Sequence, residues 1–106
     1  MDYTTLGRTG LKVSVAGLGC GGFSRLGLGT GGGDDGAIAI VRQAIDLGVN
    51  LFDTAAAYGT EEVLGKAIAG RRDGLVICTK APFSWSSGQA DPAGIVDSLD
   101  ASLRRL

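Results

Sequence analysis

The sequence predicts an α/β fold in which an N-terminal β-hairpin is followed by three βα units of a parallel sheet. Helical apolar stripes alternate with short apolar runs along the 106 residues. The predicted strands end near Cys20, Asp53 and Lys80, which are 33 and 27 residues apart, a spacing typical of one βα unit. Repeated units of this kind place parallel strands side by side through right-handed crossovers.

The hairpin is predicted over residues 4–14 (TTLGRTGLKVS), with Arg8-Thr9-Gly10 as its turn. Its apolar positions are Leu6, Leu11 and Val13. The first strand of the sheet is predicted over residues 15–19 (VAGLG), which are apolar and expected to be buried. A loop follows, because glycine fills ten of the twenty positions from Gly17 to Gly36 and is costly to order in regular structure.

The first helix is expected to take Asp34 or Asp35 as its N-cap and to end before Gly48. Its apolar stripe is Ala37, Ile40, Val41, Ala44 and Ile45. The second strand is the apolar run over residues 49–52, which only Asn50 interrupts. A short run that is apolar apart from one residue is expected to form a buried strand.

Thr60 is predicted to cap the second helix and Gly70 to end it. The apolar face of this helix is Leu64, Ala67 and Ile68. The third strand is residues 75–79 (LVICT), and Asp91-Pro92 opens a third helix, since proline is tolerated at the first helical position. The expected buried positions of the third helix are Ile95, Val96, Leu99, Leu103 and Leu106.

Composition excludes several classes of function. The formal charge is −1 and both signs are mixed along the chain, so neither nucleic acid nor a membrane surface is an expected partner. No apolar run could span a bilayer, and Met1-Asp2 opens no signal peptide. Cys20 and Cys78 fit no metal-binding pattern, and the chain has no histidine, so no metal is expected. Two isolated cysteines suit a reducing cytoplasm.

The glycines at positions 17, 19 and 22 match the GxGxxG pattern of dinucleotide-binding Rossmann units. That pattern requires a helix to begin on the glycines, whereas the next helical stripe starts about a dozen residues later. It also calls for an acidic residue about 20 residues further on, and Asp53 lies 31 residues beyond Gly22. We therefore interpret the glycines as a strand exit and a mobile loop.

Charged residues close two of the predicted strands, Asp53 after VNLF and Lys80 after LVICT. The carboxyl ends of parallel strands lie at the same edge, where α/β proteins place their ligands. If the two strands are neighbours, Asp53 and Lys80 form a partly buried ion pair, and Tyr58 can fold back over it. An adjacent ammonium group favours the phenolate, so Tyr58 could donate a proton to a carbonyl oxygen. A structural ion pair and a surface tyrosine are the alternative.

Three segments carry a resemblance to a known family: LGRTGLKVSVAGLGCGG, LFDTAAAYGTEEVLGKAI and VICTK. They resemble, in order and spacing, the N-terminal part of the aldo-keto reductases, most of all the bacterial enzymes. The resemblance implies a (β/α)₈ TIM barrel closed by an N-terminal hairpin, and reduction of a small carbonyl substrate (aldehyde or ketone to alcohol) with NADPH or NADH. The cofactor preference, the substrate and the oligomeric state stay open.

The resemblance also implies the roles of individual residues. Tyr58 is the expected proton donor, Lys80 the residue that activates it and Asp53 the partner of Lys80. Asp53 is also expected beside the nicotinamide ribose. Further cofactor-binding positions are Gly19, Cys20 and Gly21. Phe23 and Trp85 are expected in the substrate pocket, with loop packing as the alternative for both.

Several features depart from the family pattern. The family's fourth catalytic residue is a histidine after strand four, and this chain contains none. A complete barrel takes roughly 250 residues, so residues 1–106 are interpreted as the N-terminal portion of the domain, truncated after three βα units and inactive alone. A non-catalytic, cofactor-binding regulatory protein, a truncated remnant and a small nucleotide-binding module are the alternatives.

Overall fold

The computed structural model describes residues 1–81 and 92–106, and within these ranges the predicted fold class is confirmed. An antiparallel hairpin is formed by β1 (Tyr3–Thr5) and β2 (Lys12–Ser14). A parallel sheet has the order β3 (Leu18–Gly19), β4 (Leu51–Asp53) and β5 (Val76–Cys78). The helices are α1 (Gly33–Asp46), α2 (Glu61–Ile68) and α3 (Pro92–Arg105), and 3-10 turns occupy Leu28–Thr30 and Ala56–Tyr58.

The register of the parallel sheet aligns the carboxyl ends of its strands. Asp53 of β4 lies opposite Gly19 of β3 on one side and Cys78 of β5 on the other. Backbone hydrogen bonds continue past the strand ends, from the Cys20 amide to the Asp53 carbonyl and from the Thr54 amide to the Cys78 carbonyl, each 2.8 Å long. The three chain segments therefore emerge together at one edge of the sheet.

The hairpin is tied to the opposite edge of the sheet by Asn50. Its side-chain oxygen accepts a 2.6 Å hydrogen bond from the Ser14 amide, and its side-chain nitrogen donates to the carbonyls of Lys12 and Gly74. The Ser14 hydroxyl in turn accepts a hydrogen bond from the backbone amide of Asn50. The polar residue that interrupts the second strand in the sequence thus joins the hairpin to the starts of β4 and β5.

One expectation about the N-terminal region is wrong. The strand predicted over residues 15–19 is limited to Leu18–Gly19, because the chain before it follows the hairpin: the Val15 amide bonds to Asp2, and the Val15 side chain is exposed. Of the three apolar hairpin positions only Val13 is buried, since Leu6 and Leu11 flank the exposed turn.

The core lies between the sheet and the first two helices. Its fully buried side chains include Phe52 from β4 together with Cys20, Ala37, Val41, Leu64, Ala67 and Ile68. Helix α1 packs against α2, so the predicted apolar faces of both helices meet above the sheet. Ile40 is the exception in its stripe, because its side chain remains exposed.

The ends of α1 agree only partly with the sequence. Gly32 is the N-cap, and Asp34 and Asp35 lie inside the first turn, where their charges favour the helix N-terminus. Asp34 instead forms a 3.0 Å ion pair with Lys66 of α2. At the other end Gly48 has a φ of 91°, as expected for a glycine that terminates a helix, and its amide bonds to the Ile45 carbonyl.

Helix α3 does not bury the side chains that its apolar stripe predicts. Ile95, Val96, Leu99 and Leu103 are exposed, and Leu106 follows the helix and is half-buried. The helix contacts the rest of the described chain through polar groups near its C-terminus, where Ser102 is buried. The Arg105 carbonyl lies so close to Gly65 of α2 that any side chain there would collide with it. The end of α3 is therefore held by backbone approach, by hydrogen bonds and by Leu106, which packs against the core.

Glu61 holds this contact together. Its side chain is only 2% exposed and accepts hydrogen bonds from Thr79 (2.6 Å) and from the Arg105 Nε (2.7 Å). Burial acts to raise the pKa of Glu61, but hydrogen bonds from Thr79, Arg105 and Ser102 outweigh it, and the pKa lies below its usual value. The first residue of α2 thus connects the end of β5 to α3.

The glycine-rich segment does not support the Rossmann interpretation. Helix α1 begins only at Gly33, well after Gly22, so no helix N-terminus lies on the glycines of the pattern. The intervening chain forms turns closed by backbone hydrogen bonds from Gly29 to Ser24 and from Gly32 to Gly27.

Within residues 1–81 and 92–106, no helix is long and apolar enough to cross a bilayer, and no cluster of three metal-ligating side chains is found.

We predict that Glu61→Gln destabilises the chain by about 1.5–3 kcal/mol at neutral pH, the usual value of a hydrogen bond to a charged group. Because the folded-state pKa of Glu61 is lowered, its contribution is present above about pH 4.3 and is lost as pH falls through that lowered value. Urea unfolding at pH 7 and at pH 3 measures the difference. Glu62→Gln, at the exposed neighbouring position, is the matched control. An equal loss in both variants at pH 7 would contradict this role.

We predict that one of the two thiols reacts rapidly with a disulfide reagent at pH 8. Cys78 is exposed, whereas Cys20 is fully buried, and burial raises the pKa of the Cys20 thiol to about 11, with Asp53 adding to the shift. Cys78→Ser should remove the fast reaction and Cys20→Ser should leave it unchanged. Urea should expose both thiols. Two fast thiols in the native protein would refute the predicted burial of Cys20.

Candidate active site

Lys80 links the carboxyl ends of two neighbouring strands. Its ammonium nitrogen lies 2.7 Å from each carboxylate oxygen of Asp53 and 3.0 Å from the Thr54 carbonyl oxygen. Asp53 is the last residue of β4, and Lys80 lies just beyond β5. The ion pair predicted from the strand ends is therefore present. The ion pair holds the ammonium group of Lys80 against the end of β4, although Lys80 itself belongs to the chain segment that follows β5.

The ion pair is more open than the sequence suggested. The side chains of Lys80 and Asp53 are 48% and 49% exposed. Ion pairs of this exposure add about 0–1 kcal/mol to stability. The ion pair also affects the protonation of Lys80. The hydrogen bond with Asp53 raises the pKa of Lys80, and Tyr58 adds to the increase, whereas partial desolvation opposes it. The lysine thus remains an ammonium ion at neutral pH.

Tyr58 is carried to the ion pair by a short turn. The 3-10 turn Ala56–Tyr58 follows β4, and Gly59, with a φ of 68°, redirects the chain into α2. A hydrogen bond between the buried hydroxyls of Thr54 and Thr60, 3.0 Å long, joins the two ends of this segment. The Lys80 ammonium nitrogen lies 5.2 Å from the centre of the Tyr58 ring, within the range of a cation–π contact.

The end of β3 completes this edge of the sheet. Gly19 lies beside Asp53, and a Cβ atom added to Gly19 would enter open space. Gly21 lies directly against the Tyr58 ring. The Cys20 side chain points into the core, so it presents no thiol to a ligand at this edge. Of the three predicted cofactor positions in this segment, the two glycines therefore have the better placement.

Of the two aromatic residues predicted for a substrate pocket, the structure describes only Phe23. Phe23 is 87% exposed on the loop after β3, and its ring makes no aromatic or cation–π contact with the described part of the chain. Trp85 lies outside the described residues. Phe23 is thus not joined to the cluster of Asp53, Tyr58 and Lys80, and the role expected of Trp85 stays a prediction.

Sequence reasoning missed the groups that hold the cluster in shape. Thr60 was expected to cap α2, and it does occupy the N-cap position, but its hydroxyl pairs with Thr54 and makes no capping bond. The pairing of Thr54 was not anticipated. A threonine directly after the strand-ending aspartate and another at a predicted helix start were the available signals. The pairing itself depends on how the turn folds.

Comparison with known sequences gives a clear family match. The sequence profile described as "Aldo/keto reductase family" matches residues 18–106, which is most of the chain. The chain is also 40% identical to the Aldo-keto reductase YhdN of Bacillus subtilis (strain 168), across all of this chain and 34% of that protein. It is 37% identical to the L-galactose dehydrogenase of Arabidopsis thaliana, again across all of this chain and 34% of the relative.

Solved structures give the same result. The holo form of aldo-keto reductase AKR11C1 from Bacillus halodurans is similar to this chain with a TM-score of 0.80 and 34% identity. The similarity covers all of this chain and 36% of the solved one. The chain thus spans about a third of the length of the curated relatives described above. From the profile match, the identities and the shared fold, we conclude that this chain belongs to the aldo/keto reductase family.

Proposed function

We propose that this chain supplies the N-terminal third of an NAD(P)H-dependent oxidoreductase that reduces a small aldehyde or ketone to an alcohol. The observation that carries the proposal is the contact of Lys80 with both Asp53 and the Tyr58 ring at the carboxyl edge of the sheet. Membership of the aldo/keto reductase family supports the same reaction class. Residues 1–106 are proposed to be one continuous portion of the barrel domain.

The geometry of the cluster supports the proposed roles. Asp53 holds the ammonium group of Lys80 by two short hydrogen bonds, so the positive charge stays at a fixed place. That charge stabilises negative charge developing on the Tyr58 oxygen, which makes the phenol a better proton donor. Tyr58 then donates its proton to the oxygen of the substrate carbonyl as that oxygen gains negative charge.

The edge of the sheet fits a nicotinamide cofactor at the positions implied by family resemblance. The space above Gly19 is open, and the carboxylate of the adjacent Asp53 is half exposed, as hydrogen bonding to a ribose hydroxyl requires. Gly19, Gly21 and Asp53 would lie beside the nicotinamide and its ribose. When bound, the reduced cofactor supplies the hydride for carbonyl reduction. NADPH and NADH are both compatible with these residues.

A non-catalytic, cofactor-binding protein is the second candidate. The 106 residues include no histidine, and they carry the cluster of Asp53, Tyr58 and Lys80 that both candidates would share. Binding of NADPH without turnover of any carbonyl compound would favour this candidate.

The free thiols of Cys20 and Cys78 are consistent with a cytoplasmic protein, and we propose the cytoplasm as the location of this protein.

The role of Tyr58 is tested in a hybrid enzyme, in which residues 1–106 replace the matching third of YhdN. We predict that Tyr58→Phe lowers kcat for carbonyl-dependent NADPH oxidation about 10²- to 10⁴-fold, because it removes the general acid. NADPH binding, measured by titration calorimetry, should change little. Tyr3→Phe, in the hairpin at the opposite edge of the sheet, is the control and should retain normal turnover.

Each result of this experiment has a defined meaning. Unchanged turnover in Tyr58→Phe would overturn the assignment of the proton donor. A hybrid enzyme that binds NADPH and reduces no aldehyde or ketone would favour the non-catalytic candidate. Residues 1–106 alone are expected to show no turnover, and clear activity of this chain by itself would contradict that part of the proposal.

We predict that Asp53→Asn lowers the pKa of Lys80, because the hydrogen bond that raises it is weakened. A raised pKa means that the ion pair contributes to stability below about pH 10.4, and that this contribution is lost as pH rises through the folded-state value. An NMR titration of the lysine side chains measures the change. Lys66, which pairs with Asp34, is the internal control and should titrate as before. An unchanged Lys80 titration would contradict the proposed role of Asp53.

A further inference from the structure

The closest approach around the tyrosine involves Gly21, in the loop after β3. A Cβ atom placed on Gly21 would lie 2.6 Å from Cε2, 2.8 Å from Cδ2 and 2.9 Å from Cζ of the Tyr58 ring. Real Cβ atoms do not come this close to other carbon atoms. The ring therefore occupies the space that any side chain at position 21 would need.

The geometry of this contact indicates what the glycine provides. The three distances are nearly equal, so the missing Cβ would stand above the face of the ring near Cε2 and not beside its edge. Gly21 is not among the glycines with positive φ, unlike Gly22. Its backbone conformation is thus open to other residues, and the requirement for glycine at this position is one of space.

We propose that Gly21 is a positioning residue that sets the location of the Tyr58 phenol relative to Lys80. This inference rests on the proposed function of Tyr58 as proton donor. The backbone at Gly21 forms a surface against which the ring lies, while Lys80 holds the ring at its other contact, 5.2 Å from its centre. Two adjacent βα loops together therefore fix the acid, although only the second carries it.

Gly21→Ala tests the proposal in the hybrid enzyme. Ordinary contact distance requires the Tyr58 ring to move by about 1 Å, and a displacement of that size can lower a rate about 10²-fold. We expect kcat to fall about 10- to 100-fold, with the dissociation constant for NADPH changed less than about threefold. Gly36→Ala is the matched control, because a Cβ atom there meets nothing within 4 Å and the backbone is helical. Melting temperatures of both variants identify any loss of folding.

The double variant Gly21→Ala/Tyr58→Phe shows whether Gly21 acts through the phenol. If it does, Gly21→Ala costs nothing further once the hydroxyl is absent. An equal loss of kcat in both backgrounds, or a normal kcat in Gly21→Ala, would overturn the proposal. A much weaker NADPH affinity with kcat retained would also overturn it, because Gly21 would then serve the cofactor alone and not the phenol.

A readout that does not depend on turnover separates this inference from the proposed function. Nuclear Overhauser contacts between the Gly21 α-protons and the Tyr58 ring protons should be present in the unsubstituted protein, and the ring resonances should shift in Gly21→Ala. Full activity of Tyr58→Phe would refute the proposed function, whatever the ring resonances show. Absence of the Gly21–Tyr58 contact would refute the positioning role even if Tyr58 is the acid.

Discussion

The pairing of β4 with β3 and β5 in parallel register is the constraint on which the rest of the structure depends. This pairing places Asp53 between Gly19 and Cys78 and brings three chain segments out at a single edge. A slip of one residue in either pair would turn the Asp53 side chain to the opposite face of the sheet. Lys80 could then no longer bind both carboxylate oxygens, and the turn that carries Tyr58 would have no ammonium group to cover.

Polar contacts extend this arrangement in two directions. Asn50 connects the hairpin to the starts of β4 and β5, so the edge of the sheet opposite the cluster is closed by hydrogen bonds. Glu61 connects the end of β5 to α3 through Thr79 and Arg105. Both residues interrupt or precede apolar segments in the sequence. Glu61 is buried and Asn50 is half-buried, and both side chains are hydrogen-bonded. These two side chains therefore position elements that apolar packing alone would leave loosely defined.

The sequence was sufficient to predict the order of elements, the parallel sheet and the cluster of Asp53, Tyr58 and Lys80. It succeeded there because strand ends are marked by a charge after an apolar run, and because parallel strands bring their ends together. The exact limits of the strands were harder to predict. Residues 15–17 are apolar, yet they precede the sheet strand, and the Val15 amide continues the hydrogen bonding of the hairpin. The contact of Gly21 with Tyr58 depends on two loops meeting in space, for which sequence spacing carries no signal.

Helix α3 shows a different kind of limit. Its apolar periodicity correctly predicts a helix, but periodicity indicates which side chains share a face and not what covers that face. Within the described residues that face is exposed, and the helix is held by Ser102 and Arg105 instead. Since the chain spans about a third of its relatives, the three-residue cluster is the part of the proposed site that its own contacts support.

The central claim is that Lys80 and Tyr58 act as one unit in proton donation. A double-mutant cycle with Lys80→Met and Tyr58→Phe in the hybrid enzyme tests it most directly, with kcat for carbonyl reduction as the measured quantity. If Lys80 acts through the phenol, the double variant is about as slow as Tyr58→Phe alone. If the two losses multiply, the residues act independently, and the proposed role of Lys80 in activating Tyr58 is contradicted.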